Sequence, residues 1–105
     1  MNHGLDRETV KAICDVFAHY AEIETAVLYG SRAKGNFKPG SDIDLTLYGK
    51  QLTLHKLNDI AEALDDLLLP YTIDLSIFDK LKHPQLCEHI QRVGVVFYRK
   101  DKDDK

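Results

Sequence analysis

The sequence predicts a small α/β domain of the α+β kind, and three observations carry that reading. Amphipathic helical patterns alternate with short apolar strands along the chain. Two of the strands are apolar at every second position, the mark of a sheet with one buried face. The 105 residues, 44% of them hydrophobic, suffice for one core and leave no room for a second.

Val10, Ile13, Cys14, Phe17 and Ala21 recur at three-to-four spacing, which predicts a first helix over Asp6–Tyr20 with Asp6 as its cap. A first strand follows at Thr25–Tyr29 and a second at Asp42–Tyr48, ended by Gly49. Leu54, Leu57, Ile60, Ala61, Leu64 and Leu68 define a second amphipathic helix, capped by Thr53 and stopped before Pro70. In a third strand, Thr72–Phe78, Ile73, Leu75 and Ile77 take one face, and Thr72, Asp74 and Ser76 the other. Pro84 suits the first turn of a short helix that carries Leu86 and Ile90 and ends at Gly94; Val95–Tyr98 form the last strand. One domain over 1–100 with a frayed, charged tail at 101–105 is the expected organisation.

Composition excludes several classes. No apolar run approaches the roughly 18 residues of a membrane span, and the amino terminus lacks the basic-then-apolar order of a signal peptide, so the cytoplasm is the expected compartment. A net charge of -3 argues against direct nucleic-acid binding. Cys14 and Cys87 have no paired spacing and read as free, partly buried thiols. The five histidines share no short metal-site spacing; His3 is expected at a mobile end, and His19, His55, His83 and His89 in surface or capping roles. Tyr29 and Tyr48 beside the motif strands are expected to pack.

Two segments carry chemistry: Leu28-Tyr29-Gly30-Ser31-Arg32, and Ser41-Asp42-Ile43-Asp44-Leu45. Alternate residues of a strand share a face, so Asp42 and Asp44 point the same way, with roots about 7 Å apart. Carboxylates that close repel unless a cation lies between them, and magnesium, which takes oxygen ligands from one or two carboxylates plus substrate phosphates, resolves the repulsion. Arg32, Lys34 and Lys38 lie between the two segments, and no Asp or Glu occurs from Ala26 through Ser41, so a triphosphate would meet a local basic patch there. The absence of GxxxxGK[ST] excludes a Walker-type loop.

The pattern from Tyr29 to Leu45 resembles the DNA polymerase beta-like nucleotidyltransferase superfamily, and Ile73-Asp74-Leu75 matches that family's third acidic strand. The whole chain is similar to the minimal nucleotidyltransferase (MNT) branch, the antitoxin halves of HEPN/MNT toxin-antitoxin pairs. The resemblance implies a nucleotidyltransferase fold: a small mixed sheet, helices on one face, and an open active-site face where Asp42, Asp44 and Asp74 meet. It further implies ATP as donor and two Mg2+ ions, with Asp42 and Asp44 holding both and Asp74 holding the catalytic one and serving as general base. Gly30 and Ser31 would bind phosphates, and Arg32 or Lys34 would balance charge on pyrophosphate. Larger relatives add a helical domain for the acceptor, so acceptor binding here is expected from another chain or an oligomer. The implied reaction is AMP transfer to a hydroxyl of a HEPN toxin. The alternatives are an antitoxin that works by contact alone and the catalytic half of a two-component aminoglycoside-type transferase.

Overall fold

The computed structural model describes residues 3–100; the charged tail expected at 101–105 lies outside the described residues. Helix α1 spans Arg7–Ala18, and the Asp6 carboxylate accepts a hydrogen bond from the Thr9 amide at 2.8 Å. Strand β1 is Thr25–Tyr29, followed by a short helix α2, Ser31–Lys34, and strand β2, Ile43–Tyr48. Helix α3 is Leu54–Asp65, capped by the Thr53 hydroxyl on the Lys56 amide. Strand β3, Ile73–Ile77, runs into a 3-10 turn at Phe78–Lys80. Helix α4, Pro84–Val93, begins with Pro84 in its first turn, and β4 is Val95–Arg99. Each side-chain cap satisfies an amide that the helix leaves unpaired and contributes about 1 kcal/mol.

The sheet order is β3-β2-β1-β4. β1 is antiparallel to both β2 and β4, and β2 and β3 are parallel, so the sheet is mixed and the expected pairing of second and third strands is present. Antiparallel neighbours need only a loop, whereas the parallel pair needs a crossover, which α3 supplies. Ala26, Leu28, Ile43, Leu45 and Leu47 are fully buried on one face against Ile13 and Phe17 of α1 and Ile60 and Leu64 of α3. At about 1.5–3 kcal/mol for each large apolar side chain withdrawn from water, this layer is the main source of stability.

The opposite face carries Tyr29, Asp44, Thr46, Asp74 and Ser76, as the alternation requires. Helices α1 and α3 form the expected helical face. Helix α4 is placed differently: the His89 ring meets Tyr29 edge-on at 6.3 Å, and Gly94 abuts Val27, so α4 lies over β1 on the polar face. Toward β3 that face is unevenly covered: Asp74 is exposed, Ser76 is half-buried and Thr46 of β2 is fully buried.

The strand expected to reach Phe78 ends at Ile77, and Phe78 turns away to stack on Tyr48 with ring centroids 4.8 Å apart. The segment around Arg32, to which the sequence pattern assigns no helix, contains α2. Four residues are too few to show a helical period in sequence.

Candidate active site

The parallel register sets Asp44 opposite Asp74, and the antiparallel register sets Tyr29 opposite Asp44. Three strands therefore carry Tyr29, Asp44 and Asp74 in one row across the polar face. Directly opposed residues have Cβ atoms about 4.5–5.5 Å apart, so the two carboxylates share one patch of solvent. Asp42 sits just before β2, exposed, at the same end.

Electrostatics reflect this crowding. Burial pushes the Asp44 carboxyl above the ordinary carboxylate value of 3.8, Asp74 and then Asp42 push it further, and His89 opposes them. Burial also raises the Tyr29 phenol; the Ser76 hydroxyl nearby lowers it, and Asp74 and Asp44 raise it again. In the next row along the same face, the Ser76 hydroxyl donates to that of the fully buried Thr46 at 2.9 Å. Polar groups thus continue along the same face beside the carboxylates, and among the described residues no buried side-chain polar atom lacks a partner.

Gly30 joins the turn to this row. Its φ of +79° is a left-handed conformation that only glycine adopts without strain, and a Cβ there would collide with the Asp44 carboxylate. The backbone thus passes directly over Asp44 before entering α2. The Gly30 carbonyl accepts from Lys34, and that of Ser31 accepts from Gly35 and Asn36, closing the turn.

Of the expected basic residues, Lys34 and Lys38 are exposed. Arg32 is not: it is 1% exposed, and its guanidinium donates to the carbonyls of His3, Pro39 and Ser41 at 2.9–3.3 Å. In this arrangement it faces protein carbonyls rather than the solvent where a pyrophosphate would lie. His3, expected at a mobile end, is tied to it through its carbonyl.

His83 caps α4 through Nδ1, His19 meets the Asp15 carbonyl, and His55 is exposed beside Asp59, all within the expected surface and capping roles. His89 departs from that expectation, lying against Tyr29 with its charge felt by Asp44. Sequence spacing could not reveal it, because the contact is made across the sheet rather than along the chain. Cys14 and Cys87 are free and partly buried, as expected.

Among the described residues no group of three or more His, Cys, Asp or Glu side chains is placed to hold a metal ion, so Asp42, Asp44 and Asp74 are not gathered as one three-residue ligand set. The donors present are hard carboxylate oxygens on the polar face, and Asp44 ionises against two like charges. That set fits magnesium, which completes its shell with water and phosphate oxygens rather than an all-protein cage.

A stability test follows from Asp44. The folded protein holds its proton more tightly than the unfolded chain, so its contribution to folding is full below the unfolded pKa and is lost as pH rises through the folded value. Without divalent cations, Asp44→Asn should melt above wild type at about pH 7, and the gap should shrink toward about pH 3. Added Mg2+ should raise the wild-type melting temperature more than the variant's. Thermal scans in which the two proteins track each other at every pH, with and without Mg2+, would contradict the repulsion.

Residues 11–103 match the family model described as Polymerase beta, Nucleotidyltransferase. Among solved structures, a toxin-antitoxin with AMP-PNP superposes with a TM-score of 0.70 at 21% identity, over 90% of this chain and 77% of that one. The toxin-antitoxin MntA-HepT gives 0.66 at 18% identity, over 94% and 77%. The tri-AMPylated Shewanella oneidensis HEPN toxin in complex with MNT antitoxin gives 0.67 at 18%, over 95% and 77%. At these identities the likeness establishes a shared fold. No curated protein matches the sequence. Among the described residues no helix is long and apolar enough to cross a membrane. With the family model covering residues 11–103, this protein belongs to the polymerase beta nucleotidyltransferase family.

Proposed function

We propose that the chain is a Mg2+-dependent protein adenylyltransferase that moves AMP from ATP to a hydroxyl on a HEPN toxin partner and thereby acts as an antitoxin in the cytoplasm. The observation that carries the reading is the Asp44–Asp74 register pair with the Gly30 turn folded over Asp44. The partner class is supported by the structural relatives, one of which holds a tri-AMPylated HEPN toxin.

Asp42 and Asp44 would hold two Mg2+ ions, and Asp74 the catalytic one. When bound, the ions neutralise triphosphate charge and stabilise the entering and leaving oxygens. Gly30 and Ser31 bind the phosphates through the Ser31 hydroxyl and the amides of the turn. Lys34, exposed at the end of α2, balances the charge of the departing pyrophosphate. Asp74 lies on the edge strand β3 and is open to an acceptor arriving from solvent. It takes the proton from the acceptor hydroxyl as that oxygen bonds to the α-phosphorus. The bond from this phosphorus to the bridging oxygen breaks, and pyrophosphate leaves with the electron pair. The products are an AMP ester, pyrophosphate and one proton.

Intact-mass spectrometry tests the proposal. Incubated with ATP and Mg2+, a HEPN toxin from the same genomic neighbourhood should gain the mass of one or more AMP units. A toxin that is bound and inhibited yet keeps its mass would show an antitoxin working by contact. Transfer to an aminoglycoside with no protein modified would show a small-molecule transferase instead.

A further inference from the structure

Arg32 is the largest fully buried polar side chain in the described protein. Burying a cation is expensive unless its donors are filled, and no carboxylate lies within salt-bridge distance of it among the described residues. The fold compensates in two ways. Nε and Nη2 both donate to the Ser41 carbonyl, at 3.2 and 2.9 Å; Nη2 also reaches Pro39 at 3.3 Å, and Nη1 reaches His3 at 3.0 Å. The guanidinium also lies 4.9 Å from the Phe37 ring centroid and 5.0 Å from that of Tyr71, so aromatic faces supply negative potential.

The positions of these partners matter more than their number. Ser41 is the residue before Asp42, and the two-pronged contact fixes the peptide that delivers Asp42 to the site. Tyr71 stands two residues before β3, which carries Asp74, and the Thr72 carbonyl between them accepts from Ile43 of β2. Arg32 itself is the second residue of α2, directly after the Gly30 turn. One side chain therefore touches the segments that lead to the phosphate turn, to Asp42 and to Asp74.

We propose that Arg32 is a positioning residue for this site: its guanidinium fastens the Pro39–Ser41 loop and the amino-terminal segment to α2, and so fixes Asp42 relative to the Gly30 turn. Its functional meaning rests on the nucleotide site proposed above, whereas its geometry stands on its own contacts. Lysine cannot replace it, because an ammonium is a point donor without the planar fork that spans Ser41. The clamp can also be strained from outside. Gly4 has a φ of +84°, and a Cβ there would strike the Phe37 ring and come within 2.9 Å of Arg32 Nη1.

The test compares wild type, Arg32→Lys, Gly4→Ala and the surface control Lys11→Gln, each well below its melting temperature. Amide exchange of the ligand-free protein is read by mass spectrometry, with calorimetric ATP binding across a Mg2+ titration. Residues 36–44 should exchange about tenfold faster or more in Arg32→Lys and Gly4→Ala, with the core strands unchanged and the control matching wild type. The Mg2+ concentration giving half-maximal ATP binding should rise about tenfold in Arg32→Lys and be overcome at saturating Mg2+, which a general loss of stability would not produce. Unchanged exchange over 36–44 in folded Arg32→Lys, or equal acceleration everywhere, overturns the proposal. If Arg32→Lys fails to fold, Gly4→Ala decides by the same readouts. Wild-type protein that binds no ATP would count against the nucleotide reading, while the exchange result would still decide the clamp.

Discussion

Replacing Asp42 and Asp44 together by Asn should abolish AMP transfer to the toxin while leaving the fold intact. Stabilising charge on the entering and leaving oxygens is worth several kcal/mol, and each 1.36 kcal/mol is a factor of ten in rate, so a loss of about a thousandfold or more is expected. Folding should survive because Asp42 is exposed and Asp44 ionises against burial and two neighbouring carboxylates. Removing those charges relieves repulsion, so in the absence of Mg2+ the double variant should melt no lower than wild type. Asp74→Asn offers the contrast: on the acceptor side of the row it should lower kcat strongly with a smaller change in KM for ATP. A double variant that transfers AMP within about tenfold of the wild-type rate would remove the carboxylates from the chemistry.

Much of this architecture was legible in the chain because local chemistry and global fold agree. Thr25–Tyr29 was readable to the residue: glycine follows it, and its apolar content fits a strand buried within the sheet. Asp6 and Thr53 announced two helix starts, since a short oxygen-bearing side chain before an apolar period has few other uses. The alignment of Asp44 with Asp74 was legible for the opposite reason. Asp is disfavoured inside strands, so Asp44 and Asp74 stood out where hydrophobic patterning was otherwise regular.

What stayed hidden depends on contacts made across the chain. Arg32 read as a member of a basic patch because charged side chains are rarely buried without ionic partners. Its burial rests on backbone carbonyls and on rings at positions 37 and 71, which no spacing rule connects. The placement of α4 was likewise invisible: its apolar side, marked by Ile90, shows that it packs but not on which face of the sheet. His89 reached the neighbourhood of Asp44 only through that choice.

The Gly30 turn should prove the least tolerant backbone position of the site, and the reason can be separated into two parts. In Gly30→Ala the backbone itself costs about 1–3 kcal/mol, because φ +79° with ψ -154° is a region that essentially only glycine occupies. The added Cβ must also displace the Asp44 carboxylate, whose Cγ would lie only 3.3 Å away. Chemical denaturation of a double-mutant cycle distinguishes the two. Adding Asp44→Ala removes the colliding carboxylate, so Gly30→Ala should cost less in that background than in wild type, with a coupling of about 1 kcal/mol or more. Additive costs would mean that the turn and the carboxylate do not meet. Transfer activity should fall about a hundredfold or more in Gly30→Ala alone, since a displacement near 1 Å at a reacting geometry is enough for that. Lost activity with an unchanged ATP affinity would place the damage at Asp44, whereas joint loss of both would place it in the phosphate turn.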